Sequence, residues 1–240
     1  MCESIRDYSA FKIYEATIGS QAYGLATEES DTDLRGVYIA RTDWHWSIFG
    51  TPNQVDGPGT DEVTYELQTF LGHAMKCNPN IMEMLYSPIY RTGNDIGRRL
   101  HAERWHVLSK RAYMAYKGYA HAQFLKVQKK ENLRVRNKHS MHLIRLMLAG
   151  ISLFKEGEVL VDVSDYREEL LGIKFGGDAG MEKALLWYKD LSEEFEETYL
   201  TTSVPDKPDY QWANNFLINS RKALAEEYFS GIRPEGRYLR

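Results

Sequence analysis

The sequence predicts an α/β domain at the N-terminus followed by a mainly α-helical domain. Up to residue 92, short runs rich in β-branched and aromatic residues (12–18, 34–39 and 61–66) alternate with turns and brief helical stretches. Beyond Thr92, the stretches 93–104, 109–130, 137–155, 178–199 and 209–229 all show helical spacing with few breakers. The whole chain has 240 residues, 43% apolar and 27% charged, a composition that suits a water-soluble protein with length for a sizeable core. The organisation expected is therefore residues 1–92 as one domain and 93–240 as the second.

Taken in order, residues 1–11 are polar and mixed and read as a short lead-in helix. Lys12-Ile-Tyr-Glu-Ala-Thr-Ile18 is the first strand, and it delivers Gly19-Ser20. Gly19 lets the backbone approach a ligand closely. Ser20 adds a hydroxyl at the start of a short helix, where free N–H groups favour an anion such as phosphate. After a loop comes Asp31-Thr32-Asp33, which runs into the strand Leu34-Arg-Gly-Val-Tyr-Ile39. Asp31 and Asp33, two apart, leave the same face of that strand. Paired carboxylates repel one another unless a cation lies between them, and hard oxygen ligands suit Mg²⁺. A phosphate cradle beside a metal pair points to chemistry on a nucleoside triphosphate.

This wording, a Gly-Ser turn followed by an Asp-x-Asp pair on the next strand, resembles the DNA polymerase β-like nucleotidyltransferase superfamily. The longer forms Gly19-Ser-Gln-Ala-Tyr-Gly24 and Ser30-Asp-Thr-Asp-Leu-Arg-Gly36 are similar to predicted nucleotidyltransferases that include phage RNA-ligase-associated proteins. Thr32 departs from the apolar residue usual between the two acids, a mild change since Thr suits a strand. The resemblance implies a small mixed sheet with flanking helices in the first domain, with the nucleotide held in a cleft between it and the helical domain. It also implies two Mg²⁺ ions and an NTP substrate.

Next, Trp44 and Trp46 either stack a base or pack against the sheet. Residues 50–60, punctuated by Gly50, Pro52, Gly57, Pro58 and Gly59, read as a loop. The strand at 61–66 must supply a third carboxylate if the resemblance holds, and Asp61, Glu62 and Glu66 compete for the role. Alternation puts Asp61 with Val63 and Tyr65, and Glu62 with Thr64 and Glu66, and does not choose between them. The resemblance favours Asp61, which stands at the family's distance ahead of Tyr65-Glu66-Leu67, with Glu66 in reserve. A helix from Leu67 to about Lys76 follows. The segment Cys77-Asn-Pro-Asn80, with Glu83, Leu85 and Ser87-Pro-Ile89, continues the resemblance. There Asn78-Pro79 stops one helix, Asn80 can cap the next, and Glu83 reads as a structural acid bracing the turn.

In the helical half, Lys138, His142 and Arg145 fall at i, i+4 and i+7 and form one polar stripe on an otherwise apolar helix. Such a stripe needs either acidic partners in the protein or a bound anion. The resemblance, which has a Lys-His and a later His-x-x-Arg here, implies that Lys138, His142 and Arg145 face the triphosphate. It fades after Glu156, where only a small strand or turn around Val159-Leu-Val161 interrupts the helices.

The net charge of −4 conceals an asymmetry. Lys126, Lys129, Lys130, Arg134, Arg136 and Lys138 fall within thirteen residues that hold one acid, Glu131, whereas Glu193-Glu-Phe-Glu-Glu197 is an acidic block. Lys126, Lys129, Lys130, Arg134 and Arg136 would sit at the end of one helix and in the following connection, where they could contact RNA. Cys2 and Cys77 fit a reducing compartment and no disulfide framework. No run approaches membrane-spanning length and no signal pattern stands at the N-terminus, so a cytoplasmic protein without a membrane partner is expected. The function expected is transfer of an NMP from an NTP to an acceptor hydroxyl on RNA, with pyrophosphate release, through Asp31, Asp33 and Asp61. Nucleotidylation of a protein is the alternative, and a non-catalytic nucleotide or RNA binder is a third reading.

Overall fold

The computed structural model describes residues 8–57, 62–129 and 132–231. After a 3-10 turn at Tyr8–Phe11, strand β1 (Lys12–Ile18) is buried along nearly its whole length. It pairs antiparallel with β2 (Asp33–Tyr38) on one side and with β5 (Tyr90–Thr92) on the other. The short helix α1 (Gly19–Ala22) lies between β1 and β2. β2 pairs in parallel with β4 (Glu62–Glu66), a neighbour that requires a crossover. Helix α2 (Thr42–Trp46) and β3 (Gln54–Asp56) lie along that crossover, and β3 pairs antiparallel with β4 at the sheet edge. The order β3-β4-β2-β1-β5 makes a mixed five-stranded sheet. β3 lies in the stretch expected to be loop throughout, because Gly and Pro on both sides mask a three-residue strand.

Caps set the helices that follow. Glu66 accepts from the Gln68 N–H at 2.6 Å and opens α3 (Leu67–Ala74). Asn78, rather than Asn80, caps α4 (Pro79–Leu85): its side chain accepts from the Asn80 N–H at 3.0 Å, and Pro79 occupies the first turn, where no N–H is needed. Asn94 caps α5 (Asp95–Ala102), and a 3-10 turn at Arg104–Val107 leads to α6 (Ala112–Lys129).

Asn132 caps α7 (Leu133–Glu156), which ends at Gly157 in the left-handed region. α7 therefore begins four residues before the expected start and takes in Arg134 and Arg136. Around Val159–Val161 the chain forms no strand; Val159, Val161 and Val163 are buried in alternation, and the Val163 N–H donates to the Tyr23 carbonyl at 3.1 Å. A 3-10 turn at Ser164–Tyr166 precedes α8 (Arg167–Phe175), a helix not singled out by its sequence, and α9 (Gly177–Thr201) follows. α10 (Tyr210–Phe229) closes the described chain.

α7 is the axis of the helical half, buried along most of its length and packed against α6, α8 and α9. α4 touches both β1 and α6, while α10 returns to α2 and α3, where Arg221 pairs with Glu66 at 3.3 Å. An α/β region followed by helices is thus the architecture, and its two halves share one continuous core. Among the described residues, no helix is long and apolar enough to cross a membrane.

Candidate active site

A cleft of about 520 Å³ opens between the sheet and the helical half, within the range of small-molecule sites. The sheet side supplies Gly19, Ser20, Asp31 and Asp33. Their placement follows from the register: Ile18, the last residue of β1, pairs with Asp33, the first of β2, so the Gly19 turn lies directly beside the Asp33 carboxylate. Gly19 has φ +74°, and a Cβ there would stand 2.2 Å from Asp33 Oδ2. Both facts demand glycine. The turn is tied by Tyr23 N–H to Gly19 O at 3.1 Å and Leu25 N–H to Ser20 O at 2.9 Å. Gln21 donates to Thr32 Oγ1 at 2.6 Å, so the residue that departs from the superfamily pattern anchors the approach to the Asp pair.

The facing wall comes from α7 and the end of α8. Arg134, Lys138 and His142 stand one turn apart on α7, and Lys174 and Phe175 close α8. These groups crowd one another. Burial, with Lys138 and Arg134 nearby, lowers the Lys174 ammonium below its ordinary value, against the pull of Glu29. Burial, then Arg145, Lys138, His139 and Lys174, hold the His142 imidazole well below its usual range, so it is neutral at pH 7. Three cationic side chains gathered on one wall suit a bound polyanion.

The three members of the polar stripe divide. Lys138 and His142 reach the cleft. Arg145 does not: it lies behind the wall, donating to Glu83 Oε1 at 2.8 Å with its guanidinium carbon 3.1 Å from the centre of the Tyr23 ring. Glu83, 62 residues earlier in sequence, therefore supplies the acidic partner that the stripe needed, and phosphate contact by Arg145 gives way to an internal ion pair. Glu62 pairs with Lys12 at 3.0 Å, and Glu66 is taken up by the α3 cap, His45 and Arg221. Asp61 lies outside the described residues. Among those described, no group of three His, Cys, Asp or Glu is arranged to hold a metal ion.

Of the basic stretch, Lys126 and Lys129 are exposed at the end of α6, and Lys130 is outside the described residues. Arg134 lines the cleft instead of a connection. Arg136 is structural, donating to the Val127 carbonyl at 2.9 Å and to Met181 Sδ at 2.7 Å. Trp44 packs edge-on against Tyr8 and Phe11, and neither it nor Trp46 lines the cleft. Lys174 was not singled out in the sequence; the only available signal was a helical run ended by Gly176-Gly177. Arg167, at the other end of α8, donates to the carbonyls of Gly24 and Ala26 and so ties this helix to the loop leading to Asp31.

The split stripe predicts two different mutant behaviours. Lys138→Ala should weaken NTP binding by roughly tenfold with little change in melting temperature, since the residue is exposed in the cleft and its hydrogen bonds would be charge-assisted. Arg145→Ala should instead cost about 3–5 kcal/mol of stability by leaving Glu83 buried and unpaired. Isothermal titration and thermal melts separate the two.

A mixed sheet bearing a Gly-Ser turn against an Asp-x-Asp strand, with a basic helical wall opposite, defines a polymerase β-like protein. The chain belongs to the RlaP family, described as the RNA repair pathway DNA polymerase beta family, whose model matches residues 3–219. It is 30% identical over 87 residues to the uncharacterized protein YcgL of Bacillus subtilis, a match covering 35% of this chain and 34% of that one. It therefore aligns with about a third of that relative's length. To the uncharacterized protein MJ0002 of Methanocaldococcus jannaschii it is 23% identical over 242 residues, covering 92% of this chain and 96% of the other. No solved structure matches.

Proposed function

We propose that this protein transfers a nucleoside monophosphate from an NTP to a hydroxyl of RNA and releases pyrophosphate. The observation that carries the reading is the polarity of one cleft, with Asp31 and Asp33 beside an open Gly-Ser turn on one wall and Arg134, Lys138 and Lys174 on the other. The family's description as an RNA repair polymerase β family supports the same class of chemistry and the choice of RNA.

Two carboxylates line the cleft, and Gly19 has no Cβ to displace Asp33 Oδ2, so the pair is a hard-oxygen donor set that fits Mg²⁺. Asp31, Asp33 and Asp61 would hold it. Asp61 directly precedes Glu62, whose strand partner Leu34 directly follows Asp33. When bound, two Mg²⁺ ions supply neutralisation of the phosphoryl charge and alignment of the attacking and leaving oxygens.

The chain's own residues do the rest. Gly19 and Ser20 receive the β- and γ-phosphates, and Lys138, Arg134 and Lys174 neutralise them from across the cleft. The neutral imidazole of His142 offers a hydrogen bond on the same wall without adding repulsion to the three cations. The acceptor oxygen attacks the α-phosphorus as the bond to the α–β bridging oxygen breaks; pyrophosphate departs and the hydroxyl proton passes to water. Positioning and preorganised charge account for catalysis of this kind. Pyrophosphate release from NTP that requires both Mg²⁺ and single-stranded RNA tests the reading, and no release with any common NTP counts against it.

Lys126, Lys129 and Lys130 are the residues proposed to track the RNA backbone toward Arg134. Binding of single-stranded RNA should then weaken with salt with a log–log slope of roughly −0.7 per phosphate contact. The triple change Lys126→Glu, Lys129→Glu, Lys130→Glu should flatten that slope by about 2 and spare NTP affinity. Unchanged RNA affinity would move the acceptor site elsewhere, and a protein acceptor would then lead.

A further inference from the structure

Behind the cleft, Arg145, Glu83 and Tyr23 make a connected polar unit inside the core. All three are buried, Arg145 to 4% exposure. Arg145 donates to Glu83 Oε1 at 2.8 Å, the Tyr23 phenol donates to Glu83 Oε2 at 2.8 Å, and the guanidinium carbon lies over the Tyr23 ring, 3.1 Å from its centre. The three come from α7, α4 and the residue just after α1, so the unit joins the helical half to α4 and to the Gly19–Ser20 turn. Burial works against the Arg145 charge, yet Glu83 and Tyr23 together hold its pKa above the ordinary value. Burial likewise pushes the Tyr23 phenol up, so it stays protonated and able to donate.

A buried ion pair contributes little net stability compared with apolar residues of the same volume. What this one does is fix a place. Tyr23 lines the cleft, its N–H holds the Gly19 carbonyl, and its own carbonyl accepts from Val163 at 3.1 Å. A shift of Tyr23 that moves its backbone is therefore passed to Gly19, whose turn lies beside Asp33.

We infer that Arg145, Glu83 and Tyr23 are positioning residues that hold the Gly19–Ser20 turn in register with Asp33, so that the helical half sets where the phosphates lie relative to the Asp pair. The inference rests on the nucleotidyl-transfer reading. It assigns Arg145 a role through Tyr23 rather than contact with the nucleotide.

Tyr23→Phe is the direct test, because it keeps the ring beneath Arg145 and removes only the hydroxyl. The expected result is kcat at saturating NTP lowered about 10- to 100-fold with KM within about threefold of wild type, since a displacement near 1 Å costs turnover on this order. Hydrogen exchange should accelerate at the amides of Tyr23, Gly24, Leu25 and Val163, whose acceptors belong to this turn, while the α9 amides keep their protection. Glu83→Gln retains an acceptor for the phenol but removes the charge facing Arg145. It should lower kcat severalfold with KM little changed and speed exchange at the same four amides, and it serves, with wild-type kcat as the contrary result, if Tyr23→Phe does not fold. Wild-type kcat in folded Tyr23→Phe, or acceleration spread evenly over the protein, overturns the inference. A wild-type protein that transfers no nucleotide defeats the functional reading alone, and local exchange at the four amides then decides whether the unit holds the turn.

Discussion

Asp33→Asn should reduce nucleotidyl transfer roughly a thousandfold while leaving the fold intact. The carboxylate begins β2 beside Gly19, at the point where the sheet meets the basic wall. Losing one hard oxygen ligand removes several kcal/mol of charge stabilisation from phosphoryl chemistry, and about 1.4 kcal/mol is a factor of ten in rate. Thermal stability should stay close to wild type, because Asn keeps the shape of the side chain and one acceptor oxygen. Asp31→Asn and Asp61→Asn should lose turnover as well. Glu66→Gln behaves differently: it weakens the α3 cap and the contact with Arg221, so it lowers the melting temperature and spares the rate. Near-normal turnover in Asp61→Asn together with a dead Glu66→Gln would overturn the choice of third carboxylate.

Gly19→Ala has the next largest effect. A methyl group at this position meets Asp33 Oδ2 at 2.2 Å and must adopt φ +74°. The backbone strain costs about 1–3 kcal/mol of stability. Displacing the carboxylate by about an ångström costs on the order of a hundredfold in rate. Gly157→Ala separates the two contributions. It shares the left-handed backbone, at φ +67°, but has open space around the added methyl and caps α7 at Leu153, away from the cleft lining. It should therefore lose stability and keep its rate. Chemical denaturation with single-turnover kinetics on both variants resolves the comparison. Equal rate losses would mean that the close approach of Gly19 to Asp33 has no part in the chemistry.

The features legible in the sequence were those encoded locally. The β1 run and its Gly-Ser exit, the Asp-x-Asp start of β2 and the long helices α6, α9 and α10 depend on spacing and breakers within a few residues. Shorter elements were hidden. β3 has only three residues between glycines and prolines, and α8 has nine residues with two consecutive acids at its start. Long-range pairing was not legible at all. Nothing in the spacing of Lys138, His142 and Arg145 says that the last of them meets an acid 62 residues away while the first faces the cleft. Arg134 and Lys174 joined the site only because α7 starts earlier than its apolar pattern does and because α8 exists.

The most direct test of the central claim is transfer of label from each α-³²P-labelled NTP, with Mg²⁺, to single-stranded RNA and, in parallel, to protein. The account predicts label covalently attached to RNA from at least one NTP, with stoichiometric pyrophosphate, lost in Asp33→Asn and Gly19→Ala and weakened by reversal of Lys126, Lys129 and Lys130. Label on protein alone would keep the chemistry and change the acceptor. Label that persists undiminished in Asp33→Asn, or no label on any acceptor from the folded wild-type protein, would contradict the account.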